Sequence, residues 1–407
     1  MTLLFARQPI LEISNKLYGY EFLCREEGGG NSYSSVNGDV ATSNVMAASF
    51  LSMGVNEILG KRKAFINFTE AMLLHGVATL FPKEQIVIEV LENVEPSADI
   101  IVACKNLKAE GYTLALDDFV FTPSYEALIN LADIIKVDFM ATKTDQDRNY
   151  VVRQLRNGKI KFLAEKIENY DDFQIAVKAG YTLFQGYYFS KPVITSSKRI
   201  PPSKMNHIAL IKLLESKDPD FEDIAKIIEK DVAFSYEILR IANTAYYYRG
   251  SEIVSIRQAA IRIGLDELKK WAFITALRKI GGNGQDMIVN LCAQRAKTLE
   301  LLCRKLGLNK REMEFFTLGI LSMIDVLAGC PIELLLPELP VSSEVKQVLS
   351  GNYDQGKMSV CYKVILAYEK GEWAKIFDYV HKHAINVADV AEAYAGAVVW
   401  VNNVELD

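Results

Sequence analysis

Polar side chains that could bind a metal ion or a phosphate stand at the carboxyl ends of successive apolar runs in the first half of this chain. A carboxylate buried at a strand end costs several kcal/mol unless a cation or hydrogen bonds compensate it. Packing does not explain a series of them, so the pattern predicts an active site. The residues are Glu21 in YGYEFL, Asn67 in AFINF, Glu89 in IVIEV, Asp117 and Asp118 in LALDD, Lys136 in DIIKV, Glu165 in KFLAE and Gln185 in TLFQG.

Each of these residues also has an ordinary alternative role. Asp and Glu often cap the helix that follows a strand, and Lys136 could pair with Asp133 or Asp138 at the surface. The adjacent pair Asp117 and Asp118 is harder to explain in this way, because like charges repel and the preceding LAL run offers no compensation except a cation. Taken together, the residues favour a site.

Eight apolar runs of strand length would position these side chains. Helix-length patterns separate the runs from the second onward, as at Val40 to Met53, Ala71 to Phe81 and Ala98 to Glu110. This alternation predicts a closed TIM-like (β/α)8 barrel with its chemistry at the carboxyl face. The gap Leu11 to Lys16 is too short for a parallel crossover, so one strand should be antiparallel. The predicted strands are Leu3 to Ala6, Leu17 to Leu23, Ala64 to Phe68, Ile86 to Val90, Thr113 to Leu116, Ile134 to Val137, Lys161 to Ala164 and Tyr181 to Phe184.

Length and composition indicate a soluble protein with two domains. The chain has 407 residues, of which 50% are hydrophobic and 24% charged, and that length exceeds what one core usually serves. A formal net charge of -5 argues against nonspecific nucleic-acid binding. The six cysteines lack metal-finger spacing, and no signal peptide or membrane-spanning apolar stretch is evident. A reduced, cytoplasmic protein is therefore expected.

The boundary between the two domains is predicted at a segment rich in Ser, Pro and basic residues, Val193 to Ser203 (VITSSKRIPPS). Such an aperiodic segment is typical of an exposed linker. Residues 1–192 before it form the predicted barrel. Residues 204–407 after it carry helical patterns without strands, so the expected fold class is α/β plus all-α.

The motifs of the first half resemble those of the EAL domains, which bind or hydrolyse the bacterial messenger cyclic di-GMP. YEFLCR stands where the family has a Glu-Ala-Leu-x-Arg run, INFTE resembles its Asn-bearing strand, and IEVLE resembles its Glu-x-Thr-Glu segment. RQPI near the start also matches, and LALDDF, IIKVD, LAEKIE and QGYYFSKP follow in the family's order. The resemblance covers residues 1–192.

This resemblance implies a phosphodiesterase that opens cyclic di-GMP to linear pGpG with two divalent cations, Mg2+ or Mn2+. Oxygen ligands suit such ions, and a metal pair can activate water and clamp a phosphodiester. Lys136, which would orient or help to deprotonate the water, and Glu165 match catalytic positions. The positions that match metal ligands are Glu21, Asn67, Glu89, Asp117 and Asp118, and those that match ligand-binding positions are Gln8, Leu23, Arg25 and Gln185.

Departures from the family pattern leave a second function open. Similar enzymes carry a Gly-rich Phe-Gly-Thr-Gly-Tyr-Ser run after the aspartate pair, whereas this chain has FVFTPS from Phe119 to Ser124. Fewer glycines remove positive-φ freedom, and in the family this loop helps to order the metals and a homodimer. The alternative is a receptor that binds cyclic di-GMP without turnover. A smaller departure is Lys166, which replaces a family Gly.

A barrel glycosidase is a third possibility, since such enzymes use paired carboxylates. The Asn, Lys and Gln in the same ring of residues disfavour it.

The second half resembles the HDOD module, a helical relative of the HD-domain phosphohydrolases. The resemblance rests on the spacing of Asp231, Leu239, Asn243, Ala259 and Gly264. HD enzymes hold metal with a His-Asp pair, but the comparable segment here reads LSMID, with Ser and Met in place of that pair. The resemblance therefore implies a regulatory module that contacts a protein partner, as in bacterial signalling proteins of the EAL-HDOD type.

Overall fold

The structure, a computed structural model, describes residues 3–26, 57–58, 60, 62–117, 125–142, 144–155, 158–186, 202–214, 221–244, 246–247, 250–282, 284–354 and 356–404. Contacts divide the chain into two compact units. The first comprises Met1–Ser190 with Glu369–Gly371, and the second comprises Lys191–Tyr368 with Glu372–Asp407. None of the described helices combines the length and the apolar character needed to span a bilayer.

Eight strands of the first unit close into a barrel in chain order. β1 runs antiparallel to β2 and to β8, while the other neighbours are parallel. These pairings confirm the predicted modified barrel with one reversed strand. The strand is reversed because the connection between the first two strands is too short for a crossover helix. The strands are β1 (Leu3–Glu12), β2 (Leu17–Glu26), β3 (Lys63–Phe68), β4 (Ile86–Val90), β5 (Thr113–Leu116), β6 (Ile134–Asp138), β7 (Lys161–Glu165) and β8 (Leu183–Phe184).

The turn between β1 and β2 is closed by backbone hydrogen bonds. Glu12 N donates to Lys16 O at 2.8 Å, and Asn15 N donates to Glu12 O at 2.9 Å. Asn15 has a φ of 61°, a left-handed conformation that Asn tolerates better than most residues. The turn sets the register that places Gln8 opposite Glu21.

The helices between the parallel strands follow local capping signals. The helix predicted from Ala98 to Glu110 is confirmed: Ser97 accepts a hydrogen bond from Ile100 N at its start, and Gly111 in the left-handed region ends it. The single helix predicted from Ala71 to Phe81 is wrong, because Gly76 has a φ of 66° and separates a helix from a 3-10 turn (Val77–Leu80). The predicted helix Val40 to Met53 lies outside the described residues. The helices are α1 (Glu70–Leu74), α2 (Ala98–Glu110), α3 (Glu126–Ile129), α4 (Asp145–Leu155) and α5 (Tyr170–Ala179).

The described part of the second unit is helical, as predicted. Its core includes Trp271, which stacks on Trp400 with ring centroids 4.4 Å apart. The predicted linker Val193 to Ser203 lies outside the described residues except for its last two, and the domain boundaries stay a prediction. The helices are α6 (Pro202–Leu214), α7 (Phe221–Lys230), α8 (Val232–Ala242), α9 (Ile256–Ile263), α10 (Leu265–Gly281), α11 (Asp286–Lys305), α12 (Glu312–Ile320), α13 (Ile324–Ala328), α14 (Ile332–Leu335), α15 (Ser343–Leu349), α16 (Lys357–Glu369), α17 (Trp373–Lys382) and α18 (Val387–Val404).

Candidate functional site

An apolar layer fills the barrel directly beneath the predicted site. Its members are Ile10, Phe65, Val87, Ala115, Ile134, Leu163 and Leu183, all buried in one cluster. Side chains alternate along a strand, so the residue two positions further on faces the same interior. In the parallel strands, or directly after them, those residues are Asn67, Glu89, Asp117, Lys136, Glu165 and Gln185, and in the reversed strand β1 the equivalent is Gln8. The predicted residues therefore form the next layer towards the carboxyl face.

The ammonium of Lys136 lies among the three carboxylates of this layer and that of Glu21 in β2. Its Nζ is 2.7 Å from Glu89 Oε1, 2.7 Å from Asp117 Oδ1 and 2.8 Å from Glu165 Oε1. Glu21 Oε1 is further away, at 3.6 Å. The Lys136 side chain is 1% exposed, so the lysine and its acidic neighbours are largely removed from water.

The alternative pairing of Lys136 at the surface is wrong. Asp133 pairs with Lys108, with the ammonium 2.5 Å from Asp133 Oδ2, at the amino end of β6. Asp138 at the other end of that strand pairs with Lys166. Lys136 lies between these two aspartates in sequence but points into the barrel.

Burial and charge crowding shift the pKa of three groups. Burial alone would lower the pKa of Lys136, but the attraction of the surrounding carboxylates outweighs it and raises that pKa above its usual value. Burial also raises the pKa of Glu89, with repulsion from Glu21 and Asp117 acting in the same direction. For Glu165, burial raises the pKa to about 8, against the attraction of Lys136. The ammonium of Lys136 is therefore stable in this layer, whereas the surrounding carboxyl groups do not readily ionise all together.

Five buried oxygen atoms of this layer have no hydrogen-bond partner among the described residues. They are Asn67 Oδ1, both carboxylate oxygens of Glu89, Asp117 Oδ1 and Gln185 Oε1. Lys136 reaches two of them at ion-pair distance, but not in hydrogen-bond geometry. Unsatisfied buried oxygens are costly, and an all-oxygen donor set suits a hard divalent ion. The donor types in this layer thus suit a divalent cation.

The carboxylates are not arranged around a common metal position. Among the residues that the structure describes, no three Asp, Glu, His or Cys side chains form such a group, because the acids of the barrel converge on the ammonium of Lys136. Asp118, which was predicted as a ligand, lies outside the described residues.

β2 places the remaining predicted residues in a row. Glu21, Leu23 and Arg25 alternate along the strand and share one face, with the last two half-buried. Gln185 Nε2 donates to Glu21 Oε2 at 2.8 Å and to Gln8 Oε1 at 2.9 Å. The amide of Gln185 therefore orients a predicted metal ligand and a predicted ligand-binding residue together.

Sequence reasoning missed a second charged pair at the same rim. Asp138 Oδ1 accepts hydrogen bonds from Met140 N at 2.6 Å and Ala141 N at 3.0 Å, while Oδ2 accepts one from Lys166. Burial raises the pKa of Asp138, but these hydrogen bonds outweigh burial and hold it below its usual value. The one signal in the sequence was a lysine where the family has a glycine.

In the segment of the second unit that corresponds to an HD metal site, the side chains make contacts within the protein. Ser322 Oγ donates to Gly319 O at 2.6 Å and accepts from Arg295 Nη1 at 2.8 Å. Met323 is buried, and burial raises the pKa of Asp325. A raised pKa disfavours the ionised form that binds a metal, so this segment does not resemble a metal centre.

A buried charge network in the second unit was also missed. Glu300 is fully buried and contacts Lys270 at 3.0 Å, Lys297 at 3.2 Å and Arg304 at 2.6 Å. Tyr247 donates from its hydroxyl to Glu267, which also binds Lys270. Each acid of this network is paired with at least one base, so the network accounts for the packing of α10 against α11 without requiring a ligand.

Family models match both halves of the chain. The model for the EAL domain matches residues 44–192, and the model for the HDOD domain matches residues 200–332.

Two bacterial proteins are similar to the chain over almost its whole length. The uncharacterized protein YuxH of Bacillus subtilis is 33% identical over 412 residues, which cover 99% of this chain and 99% of that protein. The cyclic di-GMP phosphodiesterase CdgJ of Vibrio cholerae is 31% identical over 401 residues, which cover 98% of this chain and 92% of that protein.

Solved structures include a standalone versatile EAL protein from Vibrio cholerae O395 in its c-di-GMP bound form. It is 25% identical, with 47% of this chain and 92% of that chain covered and a TM-score of 0.38.

Proposed function

The chain belongs to the family of two-domain proteins in which an EAL domain precedes an HDOD domain, and we propose that its barrel hydrolyses cyclic di-GMP to linear pGpG. The observation that carries this proposal is the buried layer in which the Lys136 ammonium meets four carboxylates at the carboxyl end of a closed barrel. The Vibrio cholerae relative CdgJ, named as a cyclic di-GMP phosphodiesterase, supports the choice of substrate.

Two divalent ions, Mg2+ or Mn2+, would be held by the oxygens of Glu21, Asn67, Glu89, Asp117 and Asp118. When bound, such ions supply an activated water and neutralise charge on the phosphodiester. The buried oxygens that lack hydrogen-bond partners support this assignment for Asn67, Glu89 and Asp117.

Lys136 would hold its proton and act as a fixed cation. Its pKa is raised by the acids around it, so the ammonium form persists at neutral pH and the lysine is a poor base. We therefore assign it to orienting the attacking water and offsetting phosphate charge, rather than to taking a proton from that water.

Glu165 would be the proton carrier of the layer. Its pKa of about 8 lies close to neutral pH, where a carboxyl group can both take up and release a proton at Oε1 or Oε2. Gln185 donates hydrogen bonds to Glu21 and to Gln8, and Arg25 and Leu23 on the same strand face as Glu21 would contact the nucleotide. A guanidinium pairs well with a phosphate.

A receptor without turnover is the second candidate function. It is favoured by the FVFTPS sequence after Asp118, which lacks the glycines found in similar enzymes. In either case we propose that the helical domain is regulatory and contacts a protein partner. The replacement of the His-Asp pair by Ser322 and Met323 supports this division of roles.

Incubation of the full-length protein with cyclic di-GMP and Mg2+ or Mn2+, followed by chromatography of the nucleotides, separates the two candidates. An enzyme should yield linear pGpG in a reaction that a chelator stops, and Lys136→Met should abolish it. A receptor should retain the ligand unchanged. Absence of both turnover and binding would reject both candidates.

A further inference from the structure

Three contacts join the ends of β6, β7 and β8, the strands that carry Lys136, Glu165 and Gln185. Phe139 N donates to Glu165 O at 3.2 Å, and Ile167 N donates to Gln185 O at 3.0 Å. The third contact is made by a side chain, since the Lys166 ammonium donates to Asp138 Oδ2.

The backbone at Lys166 has an unusual conformation for a residue with a side chain. Its φ is 54°, in the left-handed region where a Cβ atom is disfavoured. Gly186 packs against the other side of this turn, so closely that a Cβ atom there would stand 2.3 Å from both N and O of Ile167. The turn after β7 is therefore held between β6 and β8.

Asp138 is a fixed anchor for Lys166. Two backbone N–H groups, of Met140 and Ala141, bind its Oδ1, and its side chain is only 10% exposed. The residue also lies directly opposite Glu165 in the parallel register of β6 and β7. The Lys166–Asp138 pair thus spans the two strands at the level of the proposed proton carrier.

We propose that Lys166 is a positioning residue, which holds the end of β7 to Asp138 and thereby keeps Glu165 in place beside Lys136. This inference rests on the proposed phosphodiesterase function. The ammonium of Lys166 is neutralised by Asp138, so its contribution lies in the geometry of Glu165 rather than in binding phosphate.

The test compares Lys166→Met, Asp138→Asn and the double variant in the full-length protein, with Mg2+ and cyclic di-GMP. Each single variant should lower kcat by about 10-fold or more, because small displacements of reacting groups are costly. KM should stay within about 3-fold, since no substrate contact is removed. The double variant should be no slower than the single variants, because both remove the same contact.

Two further variants distinguish the Lys166–Asp138 ion pair, the tether, from its alternatives. Lys166→Arg keeps the cation and should recover most of kcat. Lys166→Gly accepts the left-handed φ without strain but has no ammonium, so it should be as slow as Lys166→Met. Full activity in Lys166→Gly would show that backbone conformation alone matters and would overturn the inference.

Lys108→Met is the matched control. It removes another lysine–aspartate pair from the same barrel, at the amino end of β6, and should leave kcat unchanged.

Amide hydrogen exchange of the ligand-free full-length protein tests the tether independently of turnover. Lys166→Met should speed exchange at Phe139 and Ile167, whereas Lys108→Met should not. Unchanged exchange would overturn the inference, as would wild-type kcat in Lys166→Met. Absence of turnover by the wild-type protein would reject the proposed function instead, and the exchange data would still decide whether the tether exists.

Discussion

Lys136 Nζ lies 2.7 Å from Glu89 Oε1, and the two side chains are 1% and 0% exposed. In an ion pair so removed from water each charge stabilises the other, because water cannot solvate either charge if its partner is lost. Glu21, Asp117 and Glu165 add negative charge around the same ammonium. Lys136 is therefore expected to stabilise this layer.

Lys136→Met should lower the free energy of unfolding of the metal-free barrel by about 3 to 5 kcal/mol, because it leaves buried acids without a cation. Adding Glu89→Gln should recover part of that loss. Amide exchange of the barrel strands in the full-length protein provides the measurement. Lys108→Met, in a partly exposed pair, should cost no more than about 1 kcal/mol. A similar cost for both lysines would contradict the central position given to Lys136.

Asp117→Asn should weaken the binding of Mn2+ by at least about 10-fold, because it removes a charged oxygen ligand from the proposed metal site. Isothermal titration calorimetry of the full-length protein would measure the affinity. Asp133→Asn, at the amino end of β6 and paired with Lys108, serves as the control and should bind Mn2+ as the wild type does. An unchanged affinity in Asp117→Asn would remove this residue from the ligand set.

Arg25→Ala should weaken the binding of cyclic di-GMP by roughly 10-fold or more, since a charge-assisted hydrogen bond contributes about 1.5 to 3 kcal/mol. Calorimetry in the presence of a chelator prevents metal-dependent turnover from consuming the ligand. The control is Arg62→Ala, because Arg62 donates to Leu17 O at the opposite end of β2. Equal affinity of the Arg25 variant and the wild type would refute the phosphate contact.

The barrel could be predicted from the sequence because its signals are local. Apolar runs such as IVIEV identify strands, and the short gap after Leu11 requires the antiparallel hairpin. The layer of candidate site residues follows from the same runs, since each polar residue lies two positions beyond an inward-facing apolar one, as Glu89 does beyond Val87. Alternation along the strands then brings these residues together.

Partners that are distant in sequence could not be predicted in this way. Nothing near Glu300 indicates that Lys270 would reach it from another helix, and the pairing of Lys166 with Asp138 depends on the register of β6 and β7. Gly76 was missed for a different reason, because a left-handed residue interrupts an otherwise continuous helical pattern. For the two ion pairs three-dimensional packing decides the outcome, whereas at Gly76 the glycine itself permits the left-handed backbone.

The stability of the metal-free barrel should fall as the pH rises from about 4.5 to 8. The pKa of Glu165 is raised from 4.5 to about 8 in the folded protein. Below pH 4.5 the folded and unfolded states both hold this proton, whereas between about pH 4.5 and 8 only the folded state keeps it. The free energy of unfolding should therefore decrease by up to about 1.4 kcal/mol per pH unit.

Glu165→Gln should make the free energy of unfolding fall less steeply with pH. Amide exchange at several pH values in the presence of a chelator would measure this. Glu89 would retain part of the effect, because its pKa is raised as well. An identical pH dependence in the variant and the wild type would mean that Glu165 does not carry the proton.

All metal-dependent hydrolysis should come from the barrel and none from the helical domain. Asp325 is the remaining acid where an HD enzyme has its metal-binding pair, and burial raises its pKa, which disfavours the ionised form that a metal requires. In the full-length protein, Asp325→Asn should leave the production of pGpG unchanged, whereas Asp117→Asn should abolish it. Loss of chelator-sensitive turnover in the Asp325 variant, with its fold intact by circular dichroism, would show instead that the helical domain takes part in the chemistry.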